Sequence, residues 1–375
     1  MLWRWPHYDP TNTKTFRYHF GSPAVQPPRG PFVIFWDDIR TIAQKSYLLP
    51  DLLSPFFTTN RNDELYLGLP DGPAVIWLTV WSLVQAPLVL FIISSALTAT
   101  AVVQFLLNTY TFLFWRVIQG PSLQVYPDKL PARFNGRYRW IFINGIAVGK
   151  TTLRQELKVI SETFNAPVLG INNRTYGLVL DLLECVYQRA FGWQTEETRI
   201  AEPIIKTYLE DTVNVDKVIL VAHSQGGIIA SDILNVIYSE VAWNHIHDRL
   251  EVYTFGSAAL NFQNPWLDGK HERRLVTHME HYCHEKDLVT QYGALASVDR
   301  KDDRYLGKVF VAKGWKGHLL NQHYLTHMFP GPDSAFLHQK VVRDSDPRKS
   351  NEYWVYDEKQ KSNGLTVRDL SNFWS

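Results

Sequence analysis

The sequence contains few cysteines: Cys185 and Cys283 are the only two in 375 residues. Two thiols are too few for a secreted scaffold stapled by several disulfide bridges, and too few for a zinc module built from four thiolates. They are what a reducing compartment permits. The sequence therefore predicts a fold that is held together by its hydrophobic core.

An excess of charge of either sign is also missing. Lys and Arg number 38 and Asp and Glu number 37, which leaves a formal net charge of +1. A general nucleic-acid-binding protein needs a surplus of basic residues that faces phosphates, so nucleic acid is not an expected partner. Hydrophobic residues make up 45% of the chain and charged residues 20%, which is enough apolar material for a packed core.

Charge is absent altogether from Gly72 to Trp115, a run bounded by Asp71 and Arg116. A membrane-spanning helix needs about 20 residues, so the run is long enough for two spans with a tight turn. We predict a membrane-embedded helical hairpin over residues 72–118, with spans at Ile76–Ile93 and Ala101–Val117. A single span and a buried hairpin in a water-soluble protein are the alternatives.

The remainder of the chain divides around this run. Residues 1–71 show no sustained period and are predicted to form an irregular arm, and residues 331–375 are predicted to form a charged tail. Residues 133–330 are predicted to form the catalytic domain. An even number of spans with basic residues after the run places that domain on the cytosolic side of a membrane. The sequence does not indicate an organelle or an oligomeric state.

Within residues 133–330, short apolar runs alternate with amphipathic stretches, which predicts an α/β fold with a mostly parallel sheet and helices on both faces. The predicted strands are Arg139–Ile143, Pro167–Ile171, Lys217–Ala222, Glu251–Phe255, Leu275–Cys283 and Leu306–Ala312. The predicted helices are Thr152–Thr163, Tyr176–Gln188, Glu196–Leu209, Gly227–Tyr238 and Leu319–Met328.

The most informative segment is Ala222-His-Ser224-Gln-Gly226, which follows an apolar strand and precedes a helix. A nucleophilic serine in this class of fold sits on a tight strand-to-helix turn, where the residues two before and two after it must be small. Ala222 and Gly226 meet this requirement. We therefore predict that Ser224 is a catalytic nucleophile.

The same geometry predicts an oxyanion hole. The backbone N–H of Gln225, which follows the nucleophile, is expected to point at a developing oxyanion. The second donor is expected from the loop after an earlier strand, where Gly145 allows a close backbone approach and Ile146 supplies the N–H.

A nucleophilic serine also needs a base and an orienting carboxylate, in the chain order Ser, acid, His. Asp287 follows a predicted strand and is our candidate for the acid, with Glu285 as the alternative. His318 follows Gly317 after the next strand and is our candidate for the base, ahead of His323, which lies within the following helix.

Two other patterns predict different chemistry. Asn144 to Thr151 resembles a phosphate-binding loop, but Asn144 stands where the first glycine belongs, so nucleotide binding is only a minor alternative. His278, His281, Cys283 and His284 alternate along one predicted strand and cannot converge on a metal ion. No metal and no cofactor is predicted.

Taken together, several segments resemble lipase-like α/β-hydrolases of fungal type: Ala222-His-Ser-Gln-Gly-Gly227, Asn144-Gly-Ile146, Leu169 to Thr175, Glu285-Lys-Asp287 and Gly317 to Leu325. The resemblance spans about residues 133–330, and it departs from the usual pattern at Ala222, where a glycine is common. It implies a serine hydrolase with the triad Ser224, Asp287 and His318.

We therefore expect a membrane-associated serine hydrolase that cleaves carboxylic esters, with a lipid or another apolar ester as substrate. The alternative from a different class is a catalytically silent, membrane-anchored scaffold with the same fold. The intact Ser–Asp–His order favours the enzyme.

Overall fold

The structure is a computed structural model. It describes residues 29–54, 58–66, 84–85, 87, 124–125, 136–267, 273–299, 305–331, 334–338, 341–343, 353–356 and 365–373.

A nine-stranded sheet runs through the centre of the described residues, with the strand order β1-β3-β2-β4-β5-β6-β7-β9-β8. Its strands are β1 (Gln124–Val125), β2 (Tyr138–Ile143), β3 (Val168–Ile171), β4 (Lys217–His223), β5 (Leu250–Phe255), β6 (His278–Lys286), β7 (Lys308–Lys316), β8 (Val341–Arg343) and β9 (Tyr353–Tyr356). Only the edge strands β1 and β8 pair antiparallel to their neighbours. The prediction of a mostly parallel sheet is confirmed.

Helices precede the sheet and connect its strands. They are α1 (Pro31–Gln44), α2 (Leu49–Leu52), α3 (Lys150–Phe164), α4 (Leu178–Phe191), α5 (Glu196–Glu210), α6 (Gly226–Glu240), α7 (Trp243–Ile246), α8 (Leu288–Tyr292), α9 (Ala294–Asp299), α10 (Thr326–Met328) and α11 (Val367–Leu370). A 3₁₀ turn spans Ser46–Leu48 and a π-helical turn spans Leu320–Leu325.

Side chains of β4 point alternately to the two faces of the sheet, which explains why the sequence of this strand is continuously apolar. Val218, Leu220 and Ala222 face the hydrophobic cluster that contains α5 and α6. Ile219 and Val221 face a second cluster, which contains α3 and the C-terminal segment. Because helices cover both faces of a parallel sheet, both sets of side chains must be apolar. The two clusters together form the core.

The six predicted strands correspond to β2 through β7, and the five predicted helices are also present, with ends shifted by a few residues. The segment Leu319–Met328 differs in kind, because its first part is the π-helical turn and only Thr326–Met328 is α-helical. The ring Nδ1 of His323 accepts a hydrogen bond from the Leu319 N–H at 2.9 Å. A side chain within the π-helical turn therefore accepts from the backbone amide at its start.

The C-terminal segment is not the simple charged tail that we predicted. Strand β9 pairs in parallel with β7, and β8 pairs with β9, so the tail extends the sheet. Phe373 is buried in the second core cluster, where its ring centroid lies 4.1 Å from that of Phe164. These strands are too short to produce a clear period in the sequence. Residues 344–349 of the predicted tail lie outside the described residues.

The prediction of an irregular arm over residues 1–71 is wrong for residues 31–52, which contain α1 and α2. Pro31 occupies the first turn of α1, which is a known helix-start signal. The sequence interpretation missed it because the aromatic residues around it show no clear helical period.

A buried ion pair attaches α1 to the domain that contains the sheet. Both guanidinium–carboxylate contacts between Arg189 and Asp38 are short, at 2.7 and 2.9 Å, and both side chains are almost fully buried. Arg189 also donates to the carbonyl oxygens of Ala258 and Tyr292. The arm is therefore an integral part of the same folded body.

The predicted hairpin over residues 72–118 lies outside the described residues, apart from Val84, Gln85 and Pro87. Among the helices that the structure does describe, none combines the length and the apolar character needed to cross a bilayer.

We expect Asp38→Ala to destabilise the protein by about 3–5 kcal/mol, because it leaves the buried Arg189 without its counter-ion. Equilibrium unfolding in urea measures the loss. The matched control is Asp216→Ala, which breaks the exposed pair with Arg137 and should change stability far less. Equal losses in the two variants would contradict a structural role for the Asp38–Arg189 pair.

Candidate active site

Ser224 lies on a sharp turn between β4 and α6, at the carboxyl end of the central strand. Its φ of 55° is unusual for a residue other than glycine. The turn is held on both sides: the Ser224 N–H donates to the Phe255 carbonyl, and the Ser224 carbonyl accepts from the N–H groups of Gly227 and Ala258. Strain of this kind concentrates at functional sites.

Two glycines allow the chain to approach this turn closely. A Cβ on Gly145 would lie 2.6 Å from the Cβ of Ser224, and a Cβ on Gly226 would lie 2.2 Å from the Ile143 carbonyl oxygen. Neither position has room for a side chain. The tight turn therefore has the small residues that the sequence pattern required, with the buried Ala222 on its other side.

The structure brings Ser224, His318 and Asp287 into one hydrogen-bonded line. His318 Nε2 lies 2.8 Å from Ser224 Oγ, and His318 Nδ1 lies 2.8 Å from Asp287 Oδ2. Asp287 directly follows β6 and caps α8, while His318 follows β7. All three side chains converge because parallel strands end at the same edge of the sheet.

Asp287 is fully buried, and its charge is stabilised by donors from three directions. Burial opposes ionisation, but the His318 ring, the Tyr324 hydroxyl and the Val289 N–H outweigh it and lower the pKa of Asp287. The Tyr324 hydroxyl donates to Asp287 Oδ2 at 2.7 Å. Sequence reasoning missed Tyr324, and its place in the helix after His318 is the only signal that could have indicated it.

The two alternative residues have other contacts. His323 Nε2 donates to the Ser54 carbonyl at 2.6 Å and its Nδ1 accepts from Leu319, so its ring supports the backbone of the loop. Glu285 accepts from the Gly314 N–H and does not contact His318. Gly317 has a φ of 91°, and a Cβ there would lie 2.5 Å from the His323 ring.

The two predicted oxyanion donors lie on segments that polar contacts join. The Ala147 N–H, next to Ile146, donates to Asp181 Oδ2 at 2.9 Å, and Ala147 has a φ of 57°. This bond occupies the Ala147 amide, whereas the hydrogen bonds of the described residues leave the amides of Ile146 and Gln225 without an acceptor. Among the described residues, neither amide therefore has a protein acceptor.

A buried amide network connects the two donor segments. The side-chain amide of Asn173 donates to Gln225 Oε1 at 2.6 Å, and its backbone N–H donates to Asn144 Oδ1 at 2.8 Å. Asn144 in turn donates to the carbonyls of Gly145 and Asn173. The sequence analysis named Asn144 in the phosphate-loop pattern and in the segments that resemble α/β-hydrolases, but it did not predict the link to Asn173.

His223, beside the nucleophile, was also missed. Its ring lies 4.7 Å from the His318 ring, and its Nε2 donates to the His318 carbonyl at 2.8 Å. Burial, followed by the proximity of His318, lowers the pKa of His223 to about 3, so this ring is neutral. It therefore supports the backbone of His318 without adding a charge.

The N-terminal arm holds the loop that carries His318. The His318 N–H donates to the Leu52 carbonyl at 3.2 Å, and the Asn321 N–H donates to Glu64 Oε1 at 2.7 Å. Burial raises the pKa of Glu64 to about 7 and raises that of the neighbouring Glu156 well above its usual value. Two acidic side chains thus share a buried space beneath this loop.

The other patterns in the sequence have separate surroundings. His281 contacts Thr254 Oγ1 and the Leu306 carbonyl, whereas His284 lies against the carbonyls of Lys316 and Gly317. The loop that resembles a phosphate-binding motif packs at Gly145 against Ser224.

Comparison with known proteins yields matches only among solved structures. No family model matches the chain, and no curated protein shows significant similarity to it. An arylesterase is similar to the chain with 10% identity and a TM-score of 0.35 over 59% of this chain and 86% of its own. A Pyrobaculum calidifontis esterase has 11% identity and a TM-score of 0.31 over 59% and 85%.

A thermostable carboxylesterase cloned from a metagenomic library is similar at the same low level, with 11% identity and a TM-score of 0.32 over 56% of this chain and 85% of its own. With identities and TM-scores this low, none of these likenesses carries weight for function. The assignment of function therefore depends on the geometry of the site.

We expect Glu64→Gln to change how stability depends on pH. Because the pKa of Glu64 is raised on folding, its favourable contribution is present below about 4.5 and is lost as pH rises to about 7. The wild type should therefore lose stability relative to the variant across that range, as measured by urea unfolding at several pH values. Glu162→Gln, on an exposed part of α3, should leave the profile unchanged.

Proposed function

We propose that this chain is a serine hydrolase of the α/β-hydrolase type that cleaves carboxylic esters. The observation that carries the proposal is the line from Asp287 through His318 to Ser224, with both contacts at 2.8 Å. A serine hydroxyl is a weak nucleophile until an adjacent base accepts its proton. The position of the imidazole between the hydroxyl and a buried carboxylate supports this role.

In the proposed mechanism, Ser224 Oγ attacks the ester carbonyl carbon while His318 Nε2 takes the hydroxyl proton. The resulting imidazolium is stabilised by Asp287, which also fixes the tautomer of the ring. The intermediate collapses, the alcohol leaves with the proton from His318, and an acyl group remains on Ser224. Water, activated by His318, then releases the acid and restores the serine.

The negative charge that develops on the carbonyl oxygen is stabilised by the backbone N–H groups of Gln225 and Ile146, next to Gly145. Donors that are already in place cost no reorganisation in the transition state, and each is worth about 3–4 kcal/mol. The contacts of Asp181 and Asn173 support this assignment, because they hold the two donor segments in place before substrate binds.

The substrate we propose is a lipid or another apolar ester, with a membrane as the partner. The charge-free run from Gly72 to Trp115 supports membrane association, and the domain that follows it would face the cytosol. The arm before the run and the domain after it pack together through Asp38 and Arg189. Both ends of the run therefore belong on one side of a membrane, which favours a hairpin over a single span.

We expect Ser224→Ala to abolish labelling by a fluorophosphonate probe and to reduce hydrolysis of a p-nitrophenyl ester by roughly 10⁴-fold or more. The reason is that no acyl-enzyme can form without the hydroxyl. Ser231→Ala is the matched control, since Ser231 lies on α6, which follows the turn of Ser224, and its hydroxyl donates to the Asn261 carbonyl. Wild-type turnover in a folded Ser224→Ala protein would refute Ser224 as the nucleophile, whereas a folded wild type without labelling or turnover would leave the silent scaffold as the better interpretation.

His318→Ala and His323→Ala should have different effects. The first removes the base and should abolish probe labelling in the fraction of the protein that remains folded. The second removes two hydrogen bonds that hold the loop, at about 1 kcal/mol each, so it should lower the melting temperature more than the turnover of the folded fraction. A folded but inactive His323→Ala beside a nearly normal His318→Ala would reverse the assignment.

A further inference from the structure

Helix α4 has its charged residues on the inner side, together with the apolar Cys185, Val186 and Ala190, and it exposes apolar residues on the outer side. Asp181 and Arg189 are buried, and Glu184 is partly buried against Gln225. The outer side exposes Leu183 and Tyr187, which lie one turn apart. A surface helix in water normally has the opposite pattern, so the outer face of α4 requires an explanation.

Exposed aromatic side chains of α1 continue this face. Phe32 and Trp36, one turn apart on α1, are 70% and 65% exposed. The Phe32 ring packs edge-on against Phe191 at the end of α4, with the centroids 5.7 Å apart. We define the α1–α4 aromatic surface as Phe32, Trp36, Leu183, Tyr187 and Trp193.

This surface lies beside the candidate active site. The side-chain amide of Gln225 donates to Glu184 and Gln188 of α4, each at 3.2 Å, so the inner side of α4 contacts the nucleophile turn. Arg189 also bonds to the carbonyls of Ala258 and Tyr292, which follow β5 and β6 at the same edge of the sheet. The outer side of α4 is therefore separated from the turn that carries Ser224 by the diameter of that helix, about 10–12 Å.

We propose that the α1–α4 aromatic surface docks on a lipid bilayer, so that the candidate active site faces the membrane and takes an ester held in it. Trp and Tyr favour the interface between lipid and water, because each has an apolar ring and a polar group. This inference deepens the proposed function by naming a bilayer-held ester as substrate, and in that respect it rests on it.

The charge-free run supports a bilayer as the occupant. Gln85, within that run, donates to the Tyr176 carbonyl at 2.6 Å, two residues before α4 begins. Because Gln85 is buried and lies at the middle of the predicted span Ile76–Ile93, the run contacts the domain at this residue, at the start of α4, and only the residues on either side of the contact are left to enter a bilayer. A segment that enters a bilayer would hold this surface close to it.

A fluorophore attached to one introduced cysteine tests the docking. The native Cys185 and Cys283 are both buried, so the label reacts with the introduced thiol. Tyr187→Cys and Trp193→Cys carry the environment-sensitive fluorophore NBD in the full chain, reconstituted into phosphatidylcholine vesicles that contain lipids brominated in the acyl chain. The controls are Trp243→Cys and Val213→Cys, which lie at the opposite edge of the sheet and are at least as exposed as the test residues. An interfacial surface sits about 5–10 Å into the headgroup region, so we expect roughly half of the emission to be quenched at 187 and 193 and little at the controls.

Quenching at 187 and 193 no greater than at 243 would overturn the proposal. A shift of the emission to shorter wavelength without lipid quenching would also overturn it, since the chain itself would then cover the surface. The measurement needs no catalysis and is repeated with Ser224→Ala, so a failure of the proposed function cannot be confused with a failure of docking.

A kinetic test uses the double variant with Leu183→Ser and Tyr187→Ser. We expect kcat/KM for a long-chain ester held in vesicles to fall by about tenfold, which corresponds to about 1.4 kcal/mol of lost apolar contact, and kcat/KM for soluble p-nitrophenyl acetate to stay the same. An equal fall on both substrates would indicate a structural defect and contradict the proposal, as would no fall on either.

Discussion

A buried carboxylate, Asp287, imposes the main constraint on the site. An ionised group without contact with water is stable only if donors surround it, and here the donors come from His318, Tyr324 and Val289. The tyrosine and the histidine lie on one loop, which therefore has to close over the end of β6. The form of that loop, with a left-handed glycine and a π-helical turn, follows from this requirement.

The loop does not hold this form alone. The arm that precedes the charge-free run contributes the carbonyls of Leu52 and Ser54 and the carboxyl group of Glu64, each of which accepts a hydrogen bond from the loop. The arm is anchored in turn by Asp38, whose partner Arg189 lies on α4. A change in the position of α1 would thus be transmitted both to His318 and to the helix beside Ser224.

The contact between the arm and the domain also explains how an apolar segment can lie between them in the sequence although the two pack together. The arm and the catalytic domain pack on each other, and the segment between them meets the domain at Tyr176. If that segment enters a bilayer, the exposed aromatic side chains of α1 and α4 lie where lipid can cover them. The candidate active site would then take apolar esters directly from the membrane, without transfer through water.

The sequence alone was sufficient for the central strands and for the candidate triad, since the features involved are local. A continuous apolar strand, a turn with small residues around Ser224, and acidic and basic residues directly after strand ends can each be recognised within about ten residues. Only the tertiary structure determined the rest: the Tyr324 contact to Asp287, the Asn173 link between the oxyanion segments, and the Glu64 contact to Asn321. These pairs are separated by 37, 52 and 257 positions, and such contacts leave no periodic trace in either segment, because each side chain is selected by a partner that only folding brings close.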